Sequence, residues 1–132
     1  MGYKGDFVVN KNVRLKKICS FNVSNWHLIT MIIPYINKKI EEGVCVENLL
    51  EEDIENMVKM FLEKLVLNDE LKKKIVTSNW KSSKEVVSYT SISKSLNLLI
   101  KNNDTISIII SGTKQYIEAV NKNIDAWVLK KR

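Results

Sequence analysis

The sequence predicts an α/β fold: three layers, with a mostly parallel sheet of four to five strands covered by helices on both faces, in the order β-α-β-α-β-α-β-α. Three observations carry this expectation. Short runs of β-branched residues alternate along the chain with longer segments whose apolar residues recur every three to four positions, the pattern of strands joined by helical crossovers. The run "TISIIIS" at 105–111 is apolar almost throughout, as a strand buried on both faces must be. The segments after the expected strands carry Ser, Asn and Gly, which cap helices and make tight turns.

The chain has 132 residues, enough for one α/β domain over 1–132 to bury roughly two-thirds of its unfolded surface without disulfides or metals. Residues 1–12 are read as either a tail or a hairpin arm, since "DFVV" is strand-like and "NKN" turn-like. The first full strand is expected at 15–23. From Leu28 the apolar positions 28, 31, 32, 35, 36 and 40 describe a helix that ends near Gly43, with Ser24 or Asn25 as N-cap. Pro34 interrupts it, so either the helix is kinked or it begins at Pro34 and "HLITMII" is a strand. The unbroken periodicity favours the kinked helix.

A strand at 44–49 follows, then a helix at 51–67 whose acids, Glu51, Glu52 and Asp53, are read as partners of the helix dipole. The stretch "LKKKIVTSNW" is read as a strand at 74–78, "SISKSLNLLIK" as a helix at 91–101, and 105–111 as the central strand. A last helix carries Tyr116, Ile117, Val120, Ile124, Trp127 and Val128 at helical spacing.

If all strands run parallel, the residues that follow them meet on one rim, where open α/β sheets bind ligands. The candidate site is therefore Ser24, Asn25, Trp26 and His27, then Ser78, Asn79 and Trp80, then Ser111, Gly112, Thr113 and Lys114. The triplet "SNW" occurs in the first two groups, which suggests equivalent places in the fold, although Ser and Asn after a strand also simply cap helices and Trp also simply covers a core end. In "SGTK", Gly allows close backbone approach and the following helix offers free N–H groups to an anion, so a small anionic or phosphorylated ligand is expected. Neither a Walker A motif nor G-x-G-x-x-G is present.

No residues are assigned to catalysis or to a metal. His27 is the only histidine, which excludes sites needing two imidazoles and leaves a Cys-His pair with Cys19 or Cys45 as the one thiol arrangement to check. No cofactor is named. The formal net charge of +6 resides almost entirely in Lys, with Arg only at 14 and 132, and Lys is the weaker sign of nucleic-acid recognition; nucleic acid is ranked below a small ligand. "RLKK", "LKKK" and "LKKR" are read as solubilising edges, the first two where strands begin. Without a signal peptide or an apolar run of membrane-spanning length, a cytoplasmic protein with reduced cysteines and no membrane partner is expected.

The leading functional expectation is a non-catalytic ligand-binding or regulatory module. Its rival is an interaction module that forms a homodimer or binds a partner chain through exposed Trp26, Trp80 or Trp127. "SNWHLITMIIPYINKKIEEG" after a strand, a second strand, an acidic-start helix and the closing "ISIIISGTKQYIEAVNKNI" resemble the sensory domain family named after methanogens and methylotrophs. That resemblance implies a RecA-like fold without nucleotide hydrolysis and a sensory role; "KKICSF" stands where that family has a histidine at the start of its first strand.

Overall fold

A strand that is apolar on both sides can only sit between two layers, and the run at 105–112 does so. The computed structural model describes residues 2–10, 13–21 and 24–131. In chain order the elements are β1 (Gly2–Asn10), β2 (Val13–Phe21), α1 (Asn25–Glu41), β3 (Cys45–Leu50), α2 (Glu55–Glu63), α3 (Asp69–Val76), a single 3₁₀ turn (Lys84–Val86), α4 (Tyr89–Leu99), β4 (Thr105–Gly112) and α5 (Lys114–Lys131). The sheet order is β1-β2-β4-β3. Strands β2, β4 and β3 are parallel, with Ile18 opposite Ile109 and Asn48 opposite Ile109 on the other side.

The protein is thus α/β with a three-strand parallel sheet, extended at one edge by β1, which pairs antiparallel with β2. The N-terminal segment is the hairpin arm; residues 1, 11 and 12, and the expected end of the first strand at 22–23, lie outside the described residues.

Alternation along the strands divides the core in two. Leu15, Cys19, Ile106, Ile108 and Ile110 pack against Ile92 and Leu96 of α4 and against Ile117, Val120, Ile124 and Trp127 of α5. On the other face Leu50 and Ile109 pack under Ile29, Ile32, Ile33 and Ile36 of α1, with Val58 and Leu62 of α2 and Ile75 of α3. Each such side chain contributes about 1.5–3 kcal/mol on full burial. Two polar positions, one on each face, find partners in the covering helices. Ser107 shares a 2.5 Å hydrogen bond with Tyr35 of α1, and the buried Lys17 donates to Asp125 of α5 at 2.8 Å.

The strand expected at 74–78 is instead the end of α3, so the β-α-β-α-β-α-β-α order is corrected to β-β-α-β-α-α-α-β-α. The β-branched "IVT" suggested a strand, but the residues before it build a helix. Asn68 accepts from the Leu71 N–H at 2.7 Å as N-cap, Asp69 and Glu70 occupy the first turn, and Lys73 and Lys74 the last. That charge order complements the helix dipole, and Leu71 and Ile75, four apart, turn one apolar face to the α1 side of the core. "LKKK" therefore lies on a helix and not where a strand begins.

The helix expected at 51–67 begins only at Glu55 and ends at Glu63. Leu50 and Glu51 are still held to β4, where the Glu51 N–H donates to the Ser111 carbonyl at 2.9 Å. Pro34 does lie inside α1, and 27–33 is helix and not strand. The proline is exposed, so its ring takes up no core volume.

Two predictions follow from these placements. Pro34→Ala restores an N–H donor to the interior of α1 at an exposed position and is expected to stabilise the protein by about 1–2 kcal/mol, partly offset by a freer unfolded chain, measured by urea denaturation. Glu47, half-buried on β3, has its carboxyl pushed above the usual carboxylate range by burial. Between the unfolded and folded pKa values the native state then holds more protons than the unfolded one, so this group lowers stability as pH rises through that window. Glu47→Gln is expected to raise the melting temperature at pH 7, and the gain to vanish on acidification below the ordinary glutamate pKa.

Candidate functional site

Because β2, β4 and β3 are parallel, their carboxyl ends share one rim, and α1, α2 and α5 all begin there. The helix after β2 packs on one face of the sheet and the helix after β4 on the other. Adjacent parallel strands whose connections leave to opposite faces form a topological switch point, with a crevice between the departing loops. A cavity of about 80 Å³ lies on this rim, lined by Asn25 and Leu28 of α1, Leu50, Glu51, Glu52 and Ile54 after β3, and Ser111, Gly112 and Thr113 at the end of β4.

The three helix N-termini at the rim are already supplied with acceptors by the chain. Ser24 caps α1, its hydroxyl accepting from the His27 N–H at 3.2 Å. Asp53 accepts from the Glu55 N–H at the start of α2 at 3.0 Å. Across the crevice, Glu51 Oε1 accepts from the Thr113 N–H at 2.7 Å, and Thr113 Oγ1 in turn accepts from the Tyr116 N–H at 3.3 Å. Glu51 Oε2 lies 3.9 Å from Lys84 Nζ. Burial pushes the Tyr116 phenol well up, and the nearby Glu51 carboxylate adds to the shift.

Gly112 is required by this closure. A Cβ built on it would meet Glu51 Oε1 at 2.6 Å, Glu51 Cβ at 2.7 Å and a Tyr116 ring carbon at 2.9 Å, so the strand end and the carboxylate can approach only without a side chain between them.

Of the expected site residues, Asn25, Ser111, Gly112 and Thr113 line one crevice, with Ser24 beside it as a cap. Trp26 is 44% exposed and turns to Phe61 of α2, with ring centroids 6.4 Å apart. His27 is exposed and Lys114, also exposed, lies 3.9 Å from Glu118 on its own helix. Cys19 lies on the α5 face beside Asn121, the face opposite α1 and its His27, so these two do not pair.

The second "SNW" reaches the rim by another route. It follows a helix, not a strand, and returns alongside the end of β3. Asn48 donates to the Asn79 carbonyl at 3.0 Å, Ile54 N–H to the Trp80 carbonyl at 2.9 Å, and Ser83 N–H to the Leu50 carbonyl at 2.6 Å. Asn79 accepts from Lys81 N–H in a local turn. Ser78 donates to Lys74 at 3.5 Å, against the end of α3. Trp80 is buried, its indole N–H donating to the Ile75 carbonyl at the end of α3, 2.8 Å away. Both triplets thus contact the loop after β3, since Asn25 donates to Glu52 at 3.1 Å and the Trp80 carbonyl accepts from Ile54. None of Ser78, Asn79 and Trp80 lines the cavity.

Trp80 and Trp127 are buried, which corrects the expectation that all three tryptophans could serve as exposed contacts; only Trp26 is. Glu51 and Glu52 were missed as site residues because acids before a helix read as dipole partners, and only pairing of β3 with β4 brings them against Gly112. No family model, curated protein or solved structure matches the chain. No helix among the described residues is long and apolar enough to cross a membrane.

Gly112→Ala is expected to destabilise the protein by about 1–3 kcal/mol, the range for forcing extra volume into a packed site. It should also release the Thr113 amide from Glu51, seen as loss of its protection in hydrogen exchange, with the sheet amides of 106–110 unaffected.

Proposed function

We propose that the protein is a non-catalytic ligand-binding or regulatory module whose small ligand sits in the crevice at the carboxyl rim of the sheet. The observation that supports this reading is the position of the cavity at the carboxyl end of β4, where connections leave to opposite faces of the sheet, bordered by polar groups from three separate segments, Asn25, Glu51 and Glu52, and Ser111 to Thr113. Among the described residues there, no hydrogen bond pairs a nucleophile with a base, which favours binding over chemistry.

The same geometry weighs against the phosphorylated ligand first expected. Each helix N-terminus that would attract an anion already has a side-chain acceptor, and a phosphate at Gly112 would meet the Glu51 carboxylate. Lys114, the point charge expected to help, lies beside Glu118 instead.

A second reading rests on Trp26, which is exposed next to Phe61, with Met60 of the same helix 51% exposed. Exposed large apolar side chains are a common element of protein contacts. A homodimer or partner chain would cover them.

Amide chemical shifts separate the two readings. A panel of nucleotides, inorganic phosphate and small amines is expected to contain compounds that move the resonances of Ser111, Gly112 and Thr113 while leaving α4 unchanged. If no compound moves them, and size exclusion shows a concentration-dependent dimer that Trp26→Ser abolishes, the interaction reading replaces the ligand reading.

A further inference from the structure

Four of the protein's 15 acids, Glu51, Glu52, Asp53 and Glu55, fall within five positions at the rim of a chain whose net charge is +6. Helix capping accounts for only part of this. Asp53 and Glu55 belong to the start of α2, and Glu51 is spent on Thr113. Glu52 lies outside the helix, is exposed, and holds a single hydrogen bond, from Asn25. It lines the crevice, and among the described residues no cation pairs with it: Lys84 lies at Glu51 and Lys81 at Glu55.

An independent observation lies on the crevice floor. Ser111 is 7% exposed, lines the cavity, and its hydroxyl has no hydrogen-bond partner among the described residues. Its register partner on β2, Ser20, is 3% exposed and its Oγ is likewise unpartnered. Buried hydroxyls without partners are costly and uncommon. Here Ser20 is such a group, and beside it, on the face beneath α1, Ser111 lines the cavity with its hydroxyl unclaimed by any described residue.

The remaining walls are Leu28, Leu50 and Ile54. A carboxylate and a hydroxyl acceptor above an apolar floor suit a group with several N–H donors, one positive charge and a short hydrocarbon body. A metal ion fits less well, since no group of three or more His, Cys, Asp or Glu side chains converges among the described residues. Resting on the rim reading above, we propose that the ligand is a small primary alkylammonium, its N–H groups donating to Glu52 and Ser111 and its alkyl chain lying against Leu28, Leu50 and Ile54.

The test is titration with n-propylammonium chloride at constant ionic strength, followed by the amide shifts of Ser111, Gly112 and Thr113, with sodium chloride and propan-1-ol as controls. Saturable shifts with the ammonium, absent with both controls, are expected. Glu52→Gln should weaken binding roughly tenfold and Ser111→Ala by a smaller factor, as for loss of a charge-assisted and a neutral hydrogen bond. Glu52 is exposed, so its variant should melt as the parent does and report on binding alone. Equal shifts with propan-1-ol, or undiminished affinity in Glu52→Gln, overturn the ammonium assignment. If n-propylammonium is inert while phosphate or a nucleotide shifts the same amides, the rim site stands and its charge preference is reversed; if no compound of the panel shifts them, the rim reading itself fails.

Discussion

Burial of β4 on both faces is the constraint from which the rest of the architecture descends. Ile106, Ile108 and Ile110 require a helical layer on one side and Ile109 requires another, so the chain must send helices both ways from a single strand. That requirement puts β2 and β3 on either side of it and divides the helices into α1 to α3 above and α4 with α5 below. It also creates the switch point, because the connection after β4 has to leave on the face that the connection after β2 avoids.

At the carboxyl end of that strand, three helix N-termini converge, and each carries partial positive charge. In many α/β proteins such a rim is completed by an anionic ligand. Here the chain completes it internally, with Ser24, Asp53 and Glu51 as acceptors. Glu51 also holds the end of β4 to the loop after β3 through its N–H and its carboxylate, while its carbonyl accepts from Ser82 of the segment after α3 at 2.5 Å. The rim is therefore a structural junction at which Glu52, exposed and bonded to Asn25, and the Ser111 hydroxyl border the cavity.

The buried tryptophans show how the long connection between β3 and β4 is held. Trp127 donates from its indole to Asn97 at 3.0 Å and ties α5 to α4, while Trp80 closes the end of α3 and carries the chain back along β3 to Ser83. Each indole does two things at once, filling core volume and satisfying a polar group that would otherwise be buried alone. Trp26 has no such partner among the described residues and is exposed.

By itself the sequence determined what local physics determines. The apolar periodicity of 28–40 and 116–128 named α1 and α5, with Pro34 tolerated because the pattern stayed in phase around it, and the β-branched run at 105–111 identified a doubly buried strand. The residues of β2 and β3 were legible to within a few positions for the same reason. The segment 69–76 was misread because "IVT" has strand propensity, while the helix there draws its stability from the Asn68 cap, the charge order and the packing of Leu71 and Ile75 on α1, which no short window contains. Tertiary structure alone decided which rim residues meet. Asn25 and Thr113 are 88 positions apart, and what brings them together with Glu51 and Glu52 is the parallel register of both β2 and β3 on β4, long-range pairings fixed by the burial of both faces of one strand rather than by any motif along the chain.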